Sequence, residues 1–124
     1  MKSLAQSINE GAWGYKFDEN DHYLDIRDKF VNDLMTNISI LLKSNDTDDL
    51  YAGVGMSIEF CKSLREMIYP DNVKMLNGYV MKALKSIEKD EEWINNWNEP
   101  DLIRININNA KQQWDLIKKI NIKS

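Results

Sequence analysis

The residues that could carry chemistry are few, and the only histidine is the most suggestive of them. His22 lies near Asp18, Asp21 and Asp25, and on a helix Asp25 would lie about one turn away. An imidazole beside carboxylates can hold a metal ion or activate water, so a metal-dependent hydrolase using His22 and Asp25 is one hypothesis. Zinc sites, however, use several His or Cys residues at fixed spacing. The pattern favours a solvated helix start, where the helix dipole stabilises acids, and we expect no metal.

The single cysteine gives little support to an enzyme. Cys61 falls on an apolar helical stripe, and no histidine lies near it in sequence, so a buried structural thiol is expected rather than a nucleophile. Gly53-Val54-Gly55 lacks the third glycine, the lysine and the preceding strand of a phosphate-binding loop. No nucleophile elbow is present either. The sequence therefore predicts a non-enzymatic protein without a cofactor.

Helical periodicity supplies the elements that would position any site. Apolar residues recur every three or four positions, which predicts helices over residues 22–43, 48–69, 71–88 and from 100 onward, with a short helix within 89–98. Asn20 or Asp21 is expected to cap the first helix, Pro70 to stop the second and Asp71 to cap the third. Pro100 suits the first turn of the last helix.

Three of these helices carry stripes that matter for the core. The third helix is expected to bury Val73, Leu76, Val80, Ala83, Leu84 and Ile87. The second helix is expected to bury Leu50, Val54, Cys61, Leu64 and Ile68, with Met56, Ile58 and Phe60 widening the stripe. The last helix is expected to bury Ile103, Ile107, Ala110, Trp114 and Ile117. Glycines 53, 55 and 78 lie inside helical patterns, where they permit close approach of another helix or mark a bend.

The expected fold class is all-α. It is a single-domain bundle of four main helices plus a short helix, covering residues 1–124. Residues 1–20 are expected to form an irregular N-terminal segment that packs on the bundle as a plug, through Trp13, Tyr15 and Phe17. One cysteine allows no internal disulfide, and neither a signal peptide nor a membrane-length apolar run is visible. A cytoplasmic protein away from membranes is therefore expected.

Charge is distributed unevenly along the chain. Residues 1–62 hold eleven Asp and Glu against six Lys and Arg, whereas the second half is nearly balanced. An acidic surface repels nucleic acid and attracts a basic partner, although such acids also serve solubility alone. The acids considered as partner contacts are Asp25, Asp28, Asp33, Asp46, Asp48, Asp49 and Glu59.

The tryptophans offer a second kind of candidate contact. Trp93 and Trp97 are spaced four residues apart and would share one helix face. Tryptophan is enriched in protein–protein hot spots, so both are candidate partner-binding residues, with simple core packing as the alternative. Trp114 lies in the middle of a stripe and is expected in the core.

The most distinctive stretch runs from Gly11 to Asp25. It reads Gly-Ala-Trp-Gly, then an aromatic, then Asn-Asp, then an apolar-Asp step into the first helix, at Gly11, Ala12, Trp13, Gly14, Phe17, Asn20, Asp21, Leu24 and Asp25. This stretch resembles a family of small bacterial proteins that open in the same way. The resemblance implies an all-helical fold without established enzymatic activity. It also implies a link to immunity proteins of bacterial polymorphic-toxin and contact-dependent inhibition systems.

These observations lead to one functional expectation and one alternative. The expected function is that of an immunity protein, which binds a cognate toxin domain, expected to be a basic nuclease, and blocks it sterically and electrostatically. The alternative is a phage-encoded or regulatory protein that inhibits a different host complex. The sequence leaves the oligomeric state open.

Overall fold

The all-α prediction is confirmed. A computed structural model of the chain describes residues 21–122, with side chains described up to residue 120. It contains α1 (Asp21–Leu42), α2 (Thr47–Ser63), α3 (Pro70–Lys89), α4 (Glu91–Asn95) and α5 (Pro100–Ile122), with a 3₁₀ turn at Arg65–Met67. No strand occurs in this part of the chain, and no helix in it has the length and apolar character needed to cross a bilayer.

The chain divides into two units at the boundary between Asp33 and Leu34. Within the described residues, the first unit contributes only the opening stretch of α1, residues 21–33, where Arg27 lies 3.7 Å from Asp28. The second unit holds the rest of α1 and every later helix. The expected plug at residues 1–20 lies outside the described residues, so a single domain with such a plug stays a prediction.

The core of the second unit is centred on α3. This helix packs against both α2 and α5, and α2 also contacts α5. Its buried residues repeat every three or four positions, because only one face of the helix meets its neighbours. They are the predicted set: Val73, Leu76, Val80, Ala83, Leu84 and Ile87.

Helix α5 completes this core with Trp114 at its centre. The Trp114 side chain is fully buried, and its indole N–H donates a 3.0 Å hydrogen bond to Oδ1 of Asn77 on α3. The bond satisfies the one polar atom of the ring, which allows complete burial. The predicted stripe of α5 is otherwise confirmed at Ile103, Ile107 and Ile117, whereas Ala110 is only half-buried.

The prediction for the second helix is wrong in its end and in part of its stripe. The α-helix ends at Ser63 with Leu64 as its C-cap, and Ile68 is buried from the connection that follows. The apolar pattern continues through this connection, so periodicity alone predicts that the helix extends through it. Met56 is exposed, whereas the predicted stripe omits Ser57, which is fully buried.

Gly53 is buried because α2 approaches the end of α1 closely there. A Cβ atom on Gly53 would lie 2.9 Å from Leu42 Cδ2 and 3.2 Å from Leu41 Cβ. The Ser57 hydroxyl donates a 2.8 Å hydrogen bond to the carbonyl of Gly53, so the buried oxygen is satisfied within its own helix. Gly55 and Gly78 face open space, so the close-approach expectation is confirmed at Gly53 alone.

The predicted caps around Pro70 are also corrected. Pro70 is the first residue of α3 and does not terminate the preceding helix, because a fixed φ near −65° suits a first turn. The N-cap is Tyr69, whose backbone N–H donates to Oδ1 of Asn72 at 2.9 Å. Asp71 therefore lies inside the first turn of α3, and Asp21 likewise lies inside the first turn of α1.

Candidate functional site

The candidate site is built around the short helix α4. Asp90 caps this helix, because its Oδ1 accepts the backbone N–H of Trp93 at 3.1 Å. Its other oxygen accepts a hydrogen bond from the Thr47 hydroxyl at the start of α2. One carboxylate therefore fastens the beginning of α4 to the beginning of α2, although the two are far apart in sequence.

These two hydrogen bonds also set the charge state of Asp90. The Thr47 hydroxyl is the larger influence and the Trp93 N–H the second, and together they hold the pKa of the Asp90 carboxyl below its ordinary value. Both donors favour the ionised form, because a carboxylate accepts them more strongly than the neutral acid does. Asp90 is therefore a fixed negative charge at neutral pH.

Three aromatic rings pack together beside this link. The Trp93 ring centre lies 5.3 Å from that of Tyr51 on α2, and its indole N–H donates a 2.8 Å hydrogen bond to Oδ1 of Asp48. Trp97 meets Trp93 edge-on at 5.6 Å and Tyr51 at 6.4 Å. Offset and edge-on contacts at these distances are the favourable geometries for aromatic pairs.

The cluster is open to solvent. Trp97 is 43% exposed, whereas Trp93 and Tyr51 are half-buried. The two tryptophans border a shallow concavity of about 360 Å³, whose remaining lining comes from Asp48, Asn96 and Asn98. We refer to Asp48, Tyr51, Asp90, Trp93 and Trp97, with the two asparagines, as the aromatic–acidic surface.

Further acids lie at the starts of the same two helices. Asp46 caps α2 through a 2.8 Å bond from the Asp48 N–H, and Asp49 accepts the Ser44 hydroxyl at 2.8 Å. Glu91 and Glu92 occupy the first turn of α4 and are exposed. Acids at helix N-termini are stabilised by the helix dipole, so this concentration of negative charge costs little stability.

The structure brings together five of the nine residues proposed as partner contacts. Asp48, Trp93 and Trp97 touch one another, directly or through a shared ring, and Asp46 and Asp49 flank Asp48 at the same helix start. Glu59 is exposed on α2 but lies ten residues beyond Asp49, roughly 15 Å along the axis. The other three, on the part of α1 in the first unit, are Asp25, Asp28 and Asp33.

Sequence reasoning missed several members of the surface. Tyr51, Asp90 and Thr47 escaped notice because each acts through a partner more than forty residues away, as the Thr47–Asp90 and Asp48–Trp93 hydrogen bonds show. One local pattern was available: an aspartate three residues before Trp93 is a typical helix N-cap spacing. That pattern would have located the start of α4 at Glu91, where the structure has it.

The other residues singled out for chemistry are placed as follows. Cys61 is buried, as expected, and its burial raises the pKa of the thiol to about 11, so it is neutral at physiological pH. His22 and Asp25 both lie in the first two turns of α1. Among residues 21–122, no three His, Cys, Asp or Glu side chains gather closely enough to hold a metal ion.

Comparison of the chain with protein-family models, with curated proteins and with solved structures found no match. Residues 11–20 of the Gly-Ala-Trp-Gly motif lie outside the described residues, whereas Asp21, Leu24 and Asp25 belong to α1. The resemblance therefore stays a prediction.

Proposed function

We propose that this chain is an immunity protein, which binds a cognate bacterial toxin domain and neutralises it by covering the surface that the toxin needs for its substrate. The observation that carries the proposal is the aromatic–acidic surface. There, an exposed Trp97 meets edge-on a Trp93 ring whose indole N–H donates to Asp48. The proposed mechanism is steric and electrostatic, and the chain itself performs no catalytic step.

The aromatic rings supply the affinity in this proposal. Tryptophan and tyrosine bury a large area on binding and dominate hot spots. Trp93 is held in place before binding by its hydrogen bond to Asp48 and by its ring contact with Tyr51, so little side-chain entropy remains to be lost. Trp97 then presents its exposed face as the anchor.

The acids supply the choice of partner. Asp46, Asp48, Asp90, Glu91 and Glu92 concentrate negative charge around the rings, and Arg104 neutralises only Glu91, at 2.8 Å. Such a surface speeds encounter with a basic protein and repels nucleic acid. A toxin nuclease has a basic substrate site, because it must bind a polyanion, and this makes a nuclease domain the best-matched partner class.

The test is binding of the purified chain to the product of the gene immediately upstream. The wild-type protein is expected to capture this product and suppress its activity. Trp97→Ala is expected to weaken binding by at least about 30-fold, as a hot-spot truncation does. Glu92→Lys is expected to slow association and reduce its dependence on salt, while dissociation changes little.

Met75→Ala is the matched control for Trp97→Ala. Met75 is 44% exposed, and it lies fifteen residues before Asp90 on α3, roughly 22 Å along the axis. Its truncation is expected to leave binding unchanged. No capture of the upstream product would contradict the immunity role, and equal binding by Trp97→Ala and wild type would contradict the assigned surface.

A further inference from the structure

Helix α5 carries a second apolar stripe in addition to the one that it buries. Leu102, Ile105, Leu116 and Ile120 are 52, 52, 51 and 44% exposed. At about 100° per residue, this second stripe points roughly 140° away from the stripe centred on Trp114. Four half-exposed aliphatic side chains in one line on a surface helix form a face that residues 21–120 leave largely uncovered.

The spacing of this face is that of a helix–helix seam. Asn109 and Gln112 are exposed between the aliphatic pairs, so positions 102, 105, 109, 112 and 116 follow steps of three, four, three and four. This alternation is the heptad pattern of residues that meet a partner helix, with a polar pair at its centre. A central polar pair typically fixes the register of such a seam.

The order of apolar and polar residues along this stripe is nearly the same in both directions, so two copies can pair antiparallel. In an antiparallel pair centred between residues 110 and 111, Ile105 lies opposite Leu116 and Asn109 opposite Gln112. Leu102 of one copy lies opposite Lys119 of the other, next to Ile120, so apolar residues meet on both sides of a central pair of amides. A surface that is complementary to itself under a two-fold rotation is what an isologous dimer requires.

We propose that a second copy of this chain covers the face, giving an antiparallel two-fold dimer through Leu102, Ile105, Leu116 and Ile120 of α5. Charge supports the antiparallel direction. Asp101 lies in the first turn of α5 and Lys119 in the last. The antiparallel pair places Asp101 of each copy beside Lys119 of the other, at both ends of the seam. A parallel pair would place like charges together.

The experiment is sedimentation equilibrium of the full chain over loading concentrations from about 1 µM to about 1 mM. The wild-type chain is expected to shift from monomer to dimer within this range. Leu116→Glu is expected to weaken dimerisation by at least about tenfold, since it places a charge in the seam. Met75→Glu, a change at an equally exposed apolar position on α3, is the control and is expected to dimerise as wild type does.

A charge exchange tests the direction of pairing. Asp101→Lys and Lys119→Asp are each expected to weaken the dimer, because each sets like charges against one another at both ends. The double variant restores opposite charges and is expected to recover wild-type dimerisation. Circular dichroism of each variant confirms that α5 remains folded.

The proposal is overturned if the wild-type chain stays monomeric throughout the range, or if Leu116→Glu and Met75→Glu dimerise alike. Failure of the double variant to recover while each single variant weakens the dimer overturns the antiparallel arrangement. These measurements involve no toxin, so their outcome is independent of the immunity role.

Discussion

Trp114 and Trp97 show how differently the same residue type is used in two regions of this chain. Trp114 is fully buried on a 23-residue helix that packs against α2 and α3. Trp97 follows a five-residue helix and is 43% exposed, with other aromatic rings as its neighbours. A long helix between two others can enclose an indole, whereas one turn and a half cannot. Core tryptophan therefore stabilises the fold, and surface tryptophan is available to a partner.

The contrast is sharpest in alanine truncations of the two residues. Trp114→Ala is expected to lower the free energy of unfolding by about 3–5 kcal/mol, since it leaves a large cavity and strands Oδ1 of Asn77. Trp97→Ala is expected to cost less than about 1 kcal/mol, because the ring is already partly solvated. Urea denaturation of both variants measures the difference. Equal losses would mean that the aromatic–acidic surface is part of the core.

A second contrast concerns pH, and it follows from the buried thiol. Burial raises the pKa of Cys61 from 9.0 to about 11. Below pH 9.0 both the folded and unfolded chains keep the proton, and the full stability is present. As the pH rises toward 11, the unfolded chain loses the proton first, so unfolding is favoured by about 2 kcal/mol.

Cys61→Ala is the control for this titration. The variant is less stable at every pH because of the missing side chain, but its stability is expected to fall less between pH 9 and pH 11. All other side chains are the same in both proteins, so the difference isolates the thiol. Parallel curves for wild type and variant would show that Cys61 is accessible to water.

The same substitution, glycine to alanine, can be made at one buried and two exposed helical positions. Gly55→Ala and Gly78→Ala are each expected to raise stability by up to about 1 kcal/mol, because alanine favours the helix and the added Cβ meets nothing. Gly53→Ala has the same helical benefit but forces its Cβ against Leu42 and Leu41.

The crowding at Gly53 is expected to outweigh the helical gain and to lower stability by about 1 kcal/mol. Thermal unfolding of the three variants separates the helical gain of alanine from the cost of crowding its Cβ atom. If Gly53→Ala proved as stabilising as the other two, the approach of α1 to α2 would be looser than the structure has it.

The smallest expected effect is at the link between α2 and α4. Thr47→Val removes the hydroxyl that donates to Asp90 while keeping the branched shape, so the pKa of the Asp90 carboxyl should rise toward its ordinary value. Stability from this bond is present above pH 3.8 and is lost as the pH falls through the lowered pKa of the folded state.

Carbon NMR titration of Asp90 in wild type, Thr47→Val and Thr47→Ser checks this prediction. Thr47→Ser keeps the hydroxyl and is expected to titrate like wild type. The melting temperature of Thr47→Val is expected to be slightly lower than that of wild type at pH 7, and the difference is expected to shrink as the pH falls and Asp90 takes up a proton. If Asp90 titrated alike in Thr47→Val and wild type, the Thr47 hydroxyl would not be the main cause of the lowered pKa of Asp90.

The sequence was sufficient for elements whose apolar residues mark one face. All six residues predicted to be buried in α3 are buried. This helix packs between two others along one face, so the spacing of its apolar residues in the sequence marks that face. It was insufficient for α2, where Gly53 is buried because α1 lies close to it, and where Ser57 is buried although its side chain is polar. The end of α2 was misplaced because Ile68 continues the apolar pattern beyond the helix.

The candidate site divides in the same way. The spacing of Trp93 and Trp97 and the acids near Asp48 were visible in the sequence. The sequence did not show the hydrogen bonds from Trp93 to Asp48 and from Thr47 to Asp90, since each joins residues more than forty positions apart. Local pattern carries no information about which distant helix start lies nearby.

By itself, the sequence determined that this chain forms helices and which face of α3 and α5 is apolar, because periodicity and propensity act within a few residues. Only the tertiary structure decided which tryptophan is enclosed, which glycine is crowded and which acids gather around exposed rings. Those outcomes depend on distances between helices that are remote in sequence, and packing of the whole unit sets these distances.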